Sequence, residues 1–115
     1  MDGLIIKKKW LDLILDGHKT IEVRGHNTHK RGLIALIESG TGLIKGEVEI
    51  FNSVPFDGFL KSLYKEHWLT DHQIENLTYK KPYSWWLEYP YRYKEPIPYK
   101  HPQGAVIWVK DVFNR

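Results

Sequence analysis

Trp10-Leu11-Asp12-Leu13-Ile14-Leu15-Asp16-Gly17-His18-Lys19-Thr20-Ile21-Glu22-Val23-Arg24 changes its hydrophobic period part-way along. Trp10, Leu13 and Ile14 recur at i, i+3 and i+4 with Asp12 and Asp16 turned away, which is the spacing of a short amphipathic helix. Gly17 ends that helix, since glycine enters the left-handed conformation after a last turn without steric cost. From His18 to Arg24 the period becomes two. Ile21 and Val23 point one way; Thr20, Glu22 and Arg24 point the other. A helix therefore delivers the chain into a half-buried strand whose second face carries three aligned polar side chains.

The flanking sequence extends the pattern. Leu4-Ile5-Ile6 reads as a short opening strand, and Gly25 to Arg31 as a polar loop. Gly32-Leu33-Ile34-Ala35-Leu36-Ile37 is continuously apolar, the mark of a strand covered on both sides. After a turn at Thr41-Gly42, Leu43 to Phe51 alternates Val48 and Ile50 against Glu47 and Glu49. Phe56, Phe59, Leu60 and Leu63 predict a second helix over about Asp57 to His67. A third helix should start at Thr70, where Gln73 completes a capping box and Leu69 and Ile74 can form a staple. Tyr83 to Trp86 and Ala105 to Val112 read as late strands, joined by a proline-rich arm from Pro90 to Pro102. The arm's tyrosines, Tyr89, Tyr91, Tyr93 and Tyr99, are expected to pack against the sheet.

These elements describe an α+β domain: a curled sheet or small mixed barrel of about five to six strands, with short helices inserted between strands. No repeat or linker interrupts the chain, so residues 1–115 are read as one domain. Its stability should rest on Ile21, Val23, Ile34, Leu36, Val48, Ile50 and Val106, and not on Lys19 or Glu22.

Composition narrows the function. Cysteine is absent, which excludes disulfides and thiolate metal sites. No apolar run approaches the roughly 20 residues of a membrane span, and the opening Met1-Asp2-Gly3 carries an early acid unlike a secretory leader. A cytoplasmic protein without membrane contact is expected. The net charge is +3. Its cations gather in Lys7-Lys8-Lys9, Lys19, Arg24, Lys30 and Arg31, and again at Lys80, Lys81, Arg92, Lys94 and Lys100 among aromatic rings. Cations interleaved with rings suit backbone-plus-stacking recognition of single-stranded nucleic acid.

Glu22 and Arg24 share a strand face and can either pair or line a pocket, with Thr20 beside them. Lys19 stands at the mouth of that strand, where it can reach a phosphate or, if desolvated among rings, act as a base or nucleophile. Trp85 and Trp86 are adjacent, so in a strand they face opposite sides. One belongs to the core; the other, with Tyr83 on the face of Trp85, is a candidate for stacking on a base. His26-x-x-His29 lacks the further acid or cysteine that a metal site needs, so no metal and no cofactor is expected.

Three segments stand together in order: Trp10-x3-Ile14-Leu15-x-Gly17-x-Lys19-Thr20-Ile21-Glu22-x-Arg24, then Arg31-Gly32-x-Ile34-Ala35 with Gly46-x-Val48, then Tyr83-x-Trp85-Trp86-Leu87-Glu88-x-Pro90 with Glu95-Pro96-Ile97-Pro98 and Gln103-Gly104. They resemble the ASCH family (activating-signal-cointegrator homology). That resemblance implies a PUA-like barrel with a cleft for RNA, other single-stranded nucleic acid or a modified nucleoside. It also brings two alternatives. Some small bacterial members are amidohydrolases that remove the acetyl group of N4-acetylcytidine, and ribonuclease activity belongs to the group. In the amidohydrolases the strand reads K-T-x-T-x-R, with the lysine and second threonine acting beside a later glutamate. Lys19, Thr20 and Arg24 match that pattern, but Glu22 replaces the second threonine, and only Glu66 or Glu75 could stand for the glutamate. A catalytic version would thus rely on Lys19 and Glu22. The eukaryotic branch implies instead a protein-interaction domain of the transcription-coactivator type.

Overall fold

The computed structural model describes residues 1–114. Six strands form one curled half-barrel sheet: β1 (Gly3–Ile6), β2 (Ile21–Arg24), β3 (Gly32–Glu38), β4 (Leu43–Pro55), β5 (Tyr83–Pro98) and β6 (Trp108–Val109). Their order is β2-β5-β4-β3-β1-β6. Only the β1–β3 pair is parallel; the others are antiparallel. Helix α1 (Lys8–Leu15) links β1 to β2, while α2 (Tyr64–His67) and α3 (Asp71–Glu75) lie between β4 and β5. This is the α+β architecture expected, a curled sheet with short helices inserted between strands.

The helix-to-strand switch forms where the period changes. α1 buries Leu11, Ile14 and Leu15, and Gly17 follows with φ 81°. From Ile34 to Glu38 β3 is covered on both faces, as an unbroken apolar run requires, while Leu33 at its start is left exposed. Ile34 and Leu36 join the main core with Val48, Ile50, Trp85 and Leu87, whereas Ala35 and Ile37 join a second core with Ile44, Val109 and Val112. Burial of these side chains, about 25 cal/mol per Å² of apolar surface, is what holds the curled sheet to its helix.

Several expectations fail. The helix over Asp57 to His67 divides into a 3-10 turn (Gly58–Ser62) and α2, because Leu63 leaves helical geometry at ψ 61°. Trp68 then ends α2 in the left-handed region at φ 62°. The proline arm is largely strand: β5 runs unbroken to Pro98. β2 pairs only with Tyr83–Trp86, so beyond Trp86 one side of β5 is a sheet edge, where proline's missing N–H removes no ladder bond. Tyr89 absorbs the irregularity at φ 53°, and Tyr89 and Tyr91 are exposed, while Tyr93 and Tyr99 do pack on the second core. Within Ala105 to Val112 only Trp108–Val109 pairs, against β1; Val106 is 77% exposed and Val23 only half-buried, so neither anchors the core. Lys19 and Glu22, by contrast, are buried.

Candidate functional site

Lys19 is placed by the end of α1. The amides of His18 and Lys19 both donate to the carbonyl of Leu13, and the amide of Thr20 donates to Glu66 at 2.9 Å, tying the strand entry to α2. The Lys19 side chain is thereby drawn inside, with 2% of the residue exposed. Its ammonium donates to the carbonyl of His67, stands 3.5 Å from Glu22 Oε1 and lies over the Trp10 ring at 4.9 Å. Burial pushes the Lys19 pKa down, and the charge of Glu22 opposes that shift.

Glu22 bridges two cations. Its second oxygen accepts from Arg24 Nε at 2.8 Å, and Arg24 Nη2 donates to the carbonyl of Ile5 at 3.1 Å. β1 and β2 are not neighbours in the sheet, so Arg24 spans the open seam between them. Its guanidinium also lies 5.8 Å from the Trp85 ring. No buried polar side-chain atom is left without a partner among the described residues. A buried charge network is tolerable only when satisfied in this way.

A cleft of about 410 Å³ opens along the seam. Lys19, Glu22 and Arg24 form its polar side, Trp10 and Tyr79 are its rings, and Leu69, Gln73 and Leu77 close it from the α2–α3 segment. Tyr79 owes its place to a glycine: a Cβ on Gly25 would lie 2.5 Å from the tyrosine ring. One side of that ring rests on bare backbone, and the residue remains 42% exposed. α3 itself carries the expected capping box between Thr70 and Gln73, which sets Gln73 at the cleft.

The His67 ring is committed at both nitrogens. Nδ1 accepts from the amide of Leu69 at 2.9 Å, so Nε2 carries the proton and donates to the carbonyl of Lys61 at 3.0 Å. Burial pushes its pKa below the ordinary histidine value, and the neighbouring Lys19 charge adds to the effect.

The structure thus brings Lys19, Glu22 and Arg24 together, and leaves four other candidates elsewhere. Thr20 lines a separate cavity of about 210 Å³ with Glu88 and Tyr89. Trp85 is fully buried and donates through Nε1 to the carbonyl of His26, so it cannot receive a base. Tyr83 shares its face and packs on the main core. Trp86 lies on the opposite face, edge-on to Phe51. Neither Glu66 nor Glu75 lines the cleft. The rings of this cleft are thus Trp10 and Tyr79, not the Tyr83 with Trp85 or Trp86 expected from sequence. Trp10 reads there only as a helix position, and Tyr79 follows no periodic signal; a tyrosine over a glycine backbone is visible only once β2 and the loop before β5 are side by side.

The family pattern of the ASCH domain matches residues 4–98. The chain belongs to the ASCH domain family. Among curated proteins no sequence matches. Solved structures do: ASCH from Zymomonas mobilis superposes with a TM-score of 0.72 at 19% identity, over 84% of this chain and 72% of that one. A serine-to-alanine variant of that protein gives 0.71 at 16% identity, over 94% and 85%. Its tyrosine-to-phenylalanine variant gives 0.69 at 17%, over 84% and 74%. At such identities the likeness is one of fold. Among the described residues no helix is long and apolar enough to cross a membrane.

Proposed function

We propose that this ASCH domain binds RNA, or a modified nucleoside, by holding one base in the seam cleft. The observation that carries the reading is the convergence of Lys19, Glu22 and Arg24 on one cleft whose wall includes Tyr79. Glu22 offsets one of the two cations and adds an acceptor that a phosphate cannot use, which favours the hydrogen-bonding edge of a base over a bare phosphate. Glu22 can accept from an exocyclic amine and Lys19 or Arg24 can donate to a ring carbonyl, while Tyr79 offers a face for stacking. Lys7 at the rim, with exposed Lys80 and Lys81 just after Tyr79, suits the flanking phosphates. Thr20, Tyr83, Trp85 and Trp86 have no part in this reading.

Titration of short single-stranded RNA at several salt concentrations tests it. Affinity should fall with salt at a log–log slope of about −0.7 for each phosphate contacted. A flat response, or no binding at low salt, removes the nucleic-acid reading.

One observation favours a second reading. Desolvation lowers the pKa of Lys19, so more of it is uncharged amine than for a lysine in water. This suits amide hydrolysis on a base held in the same cleft. Glu22, held by two cations, would stabilise Lys19 rather than act as a free base. Release of acetate from N4-acetylcytidine by the wild type but not by Lys19→Ala would establish it.

A further inference from the structure

The convex face of the sheet carries a second surface of opposite character. Register places Leu33 of β3 opposite Glu49 of β4, and Glu49 opposite Glu88 of β5, so the three side chains form one row on one face. Glu49 and Glu88 take part in no ion pair among the described residues. Two carboxylates in directly opposed positions repel each other. They are bordered by apolar groups in the open: Leu33 is 48% exposed, Phe51 is 43% exposed, and the rings of Phe51 and Trp86 meet edge to face at 6.1 Å. On the other side, the next row pairs Glu47 with Tyr91, which is 59% exposed.

Charge decides what such a surface can hold. Phosphates are repelled by the Glu49–Glu88 pair, so this face does not continue the nucleic-acid track. A second copy of the chain packed two-fold on the same patch would set four carboxylates against one another. A guanidinium relieves the repulsion: its planar fork can bond two carboxylates at once, and its flat face and methylene stem lie well on Trp86, Phe51 and Leu33. We propose that the Leu33–Glu49–Glu88 row, with Phe51 and Trp86, docks a basic, arginine-bearing segment of a partner protein. None of these five residues lines the seam cleft.

The test uses the isotope-labelled full chain with a hexa-arginine peptide as probe, followed by amide and indole chemical shifts. Saturable shifts should centre on Leu33, Glu49, Phe51, Trp86 and Glu88. The double variant Glu49→Gln/Glu88→Gln should lose about tenfold in affinity, the scale of one or two charge-assisted hydrogen bonds. The same variant should bind single-stranded RNA like the wild type, which keeps the two surfaces separable. Shifts centred elsewhere, for example on Asp12 and Asp16, overturn the proposal. So does undiminished affinity of the double variant, the absence of saturable shifts, or concentration-dependent dimerisation mapped to this face.

Discussion

Three glutamates on neighbouring strands of one sheet live in opposite circumstances. Glu22 on β2 is 5% exposed and sits between Lys19 and Arg24, at 3.5 and 2.8 Å. Glu49 and Glu88 on the convex face oppose each other across β4 and β5 with no cation between them. The concave side has gathered its charges into a satisfied network inside a cleft, whereas the convex side has left two half-buried like charges without a cation. Desolvation separates the two cases: a fully buried carboxylate must be paired, while a half-buried one keeps enough water to go without a cation. Local structure alone makes all three the polar positions of alternating strands. Packing draws only Glu22 into the cleft.

The largest effect should come from breaking the buried side. Glu22→Ala leaves Lys19 and Arg24 as cations in a poorly hydrated seam, and should cost about 3–5 kcal/mol. Glu49→Ala, on the convex side and without an ion pair, should stay within about 0.5 kcal/mol. Thermal or urea unfolding of both variants checks this. Equal, small losses would mean that water reaches the seam and screens the network, and the contrast between the faces would vanish.

The next effect separates the rings. If a base occupies the seam cleft, Tyr79→Ala should weaken single-stranded RNA binding by roughly 1–3 kcal/mol, the value of one stacked base. Trp86→Ala should leave RNA affinity unchanged. The opposite result would move the nucleic-acid surface to the convex face, despite its carboxylates.

Much of this architecture was legible because it follows from short-range chemistry. The period change across Trp10 to Arg24, Gly17 at φ 81°, the two-sided burial of β3 and the Thr70–Gln73 capping box are all local consequences of side-chain type and spacing. Convergence of Glu22 and Arg24 was legible for the same reason, since residues two apart in a strand share a face. What escaped depends on distant segments. Prolines 90, 96 and 98 read as an arm because the sequence does not show that β2 is only four residues long and leaves β5 an edge. Trp85 and Trp86 were rightly split between two faces. However, the free face belongs to the convex side, and only the sheet order reveals that.

A pH measurement sharpens the role of the cleft's closing segment. His67 holds that segment in place as a neutral ring, and its backbone carbonyl receives Lys19. Its pKa is lowered by burial, with Lys19 contributing, while the hydrogen bond to the Lys61 carbonyl and, less strongly, Glu66 and Asp71 pull the other way. Below the ordinary value of about 6.5 the unfolded chain therefore binds more protons than the folded one. The stabilisation is present above that value and is lost as pH falls through the window beneath it. Melting temperature should drop through that window in the wild type, and less steeply in His67→Gln. Parallel acid limbs would show that the ring protonates in place without disturbing Leu69.

The smallest effect tests the exposed side in isolation. Glu88→Gln removes one of two directly opposed like charges while keeping the size and shape of the side chain. Cross-strand pairs contribute roughly 0.2–1 kcal/mol, and relief of an unfavourable pair should raise stability by an amount in that range. The gain should shrink as salt is added, because salt screens the repulsion between the two carboxylates. Unfolding at low and high ionic strength supplies the check. A salt-independent gain would point to better packing of the amide on Phe51 or Trp86 instead of relieved repulsion. A loss would mean that Glu88 already has a favourable partner in solution, and the convex face would then offer no unneutralised pair for a basic segment to bind.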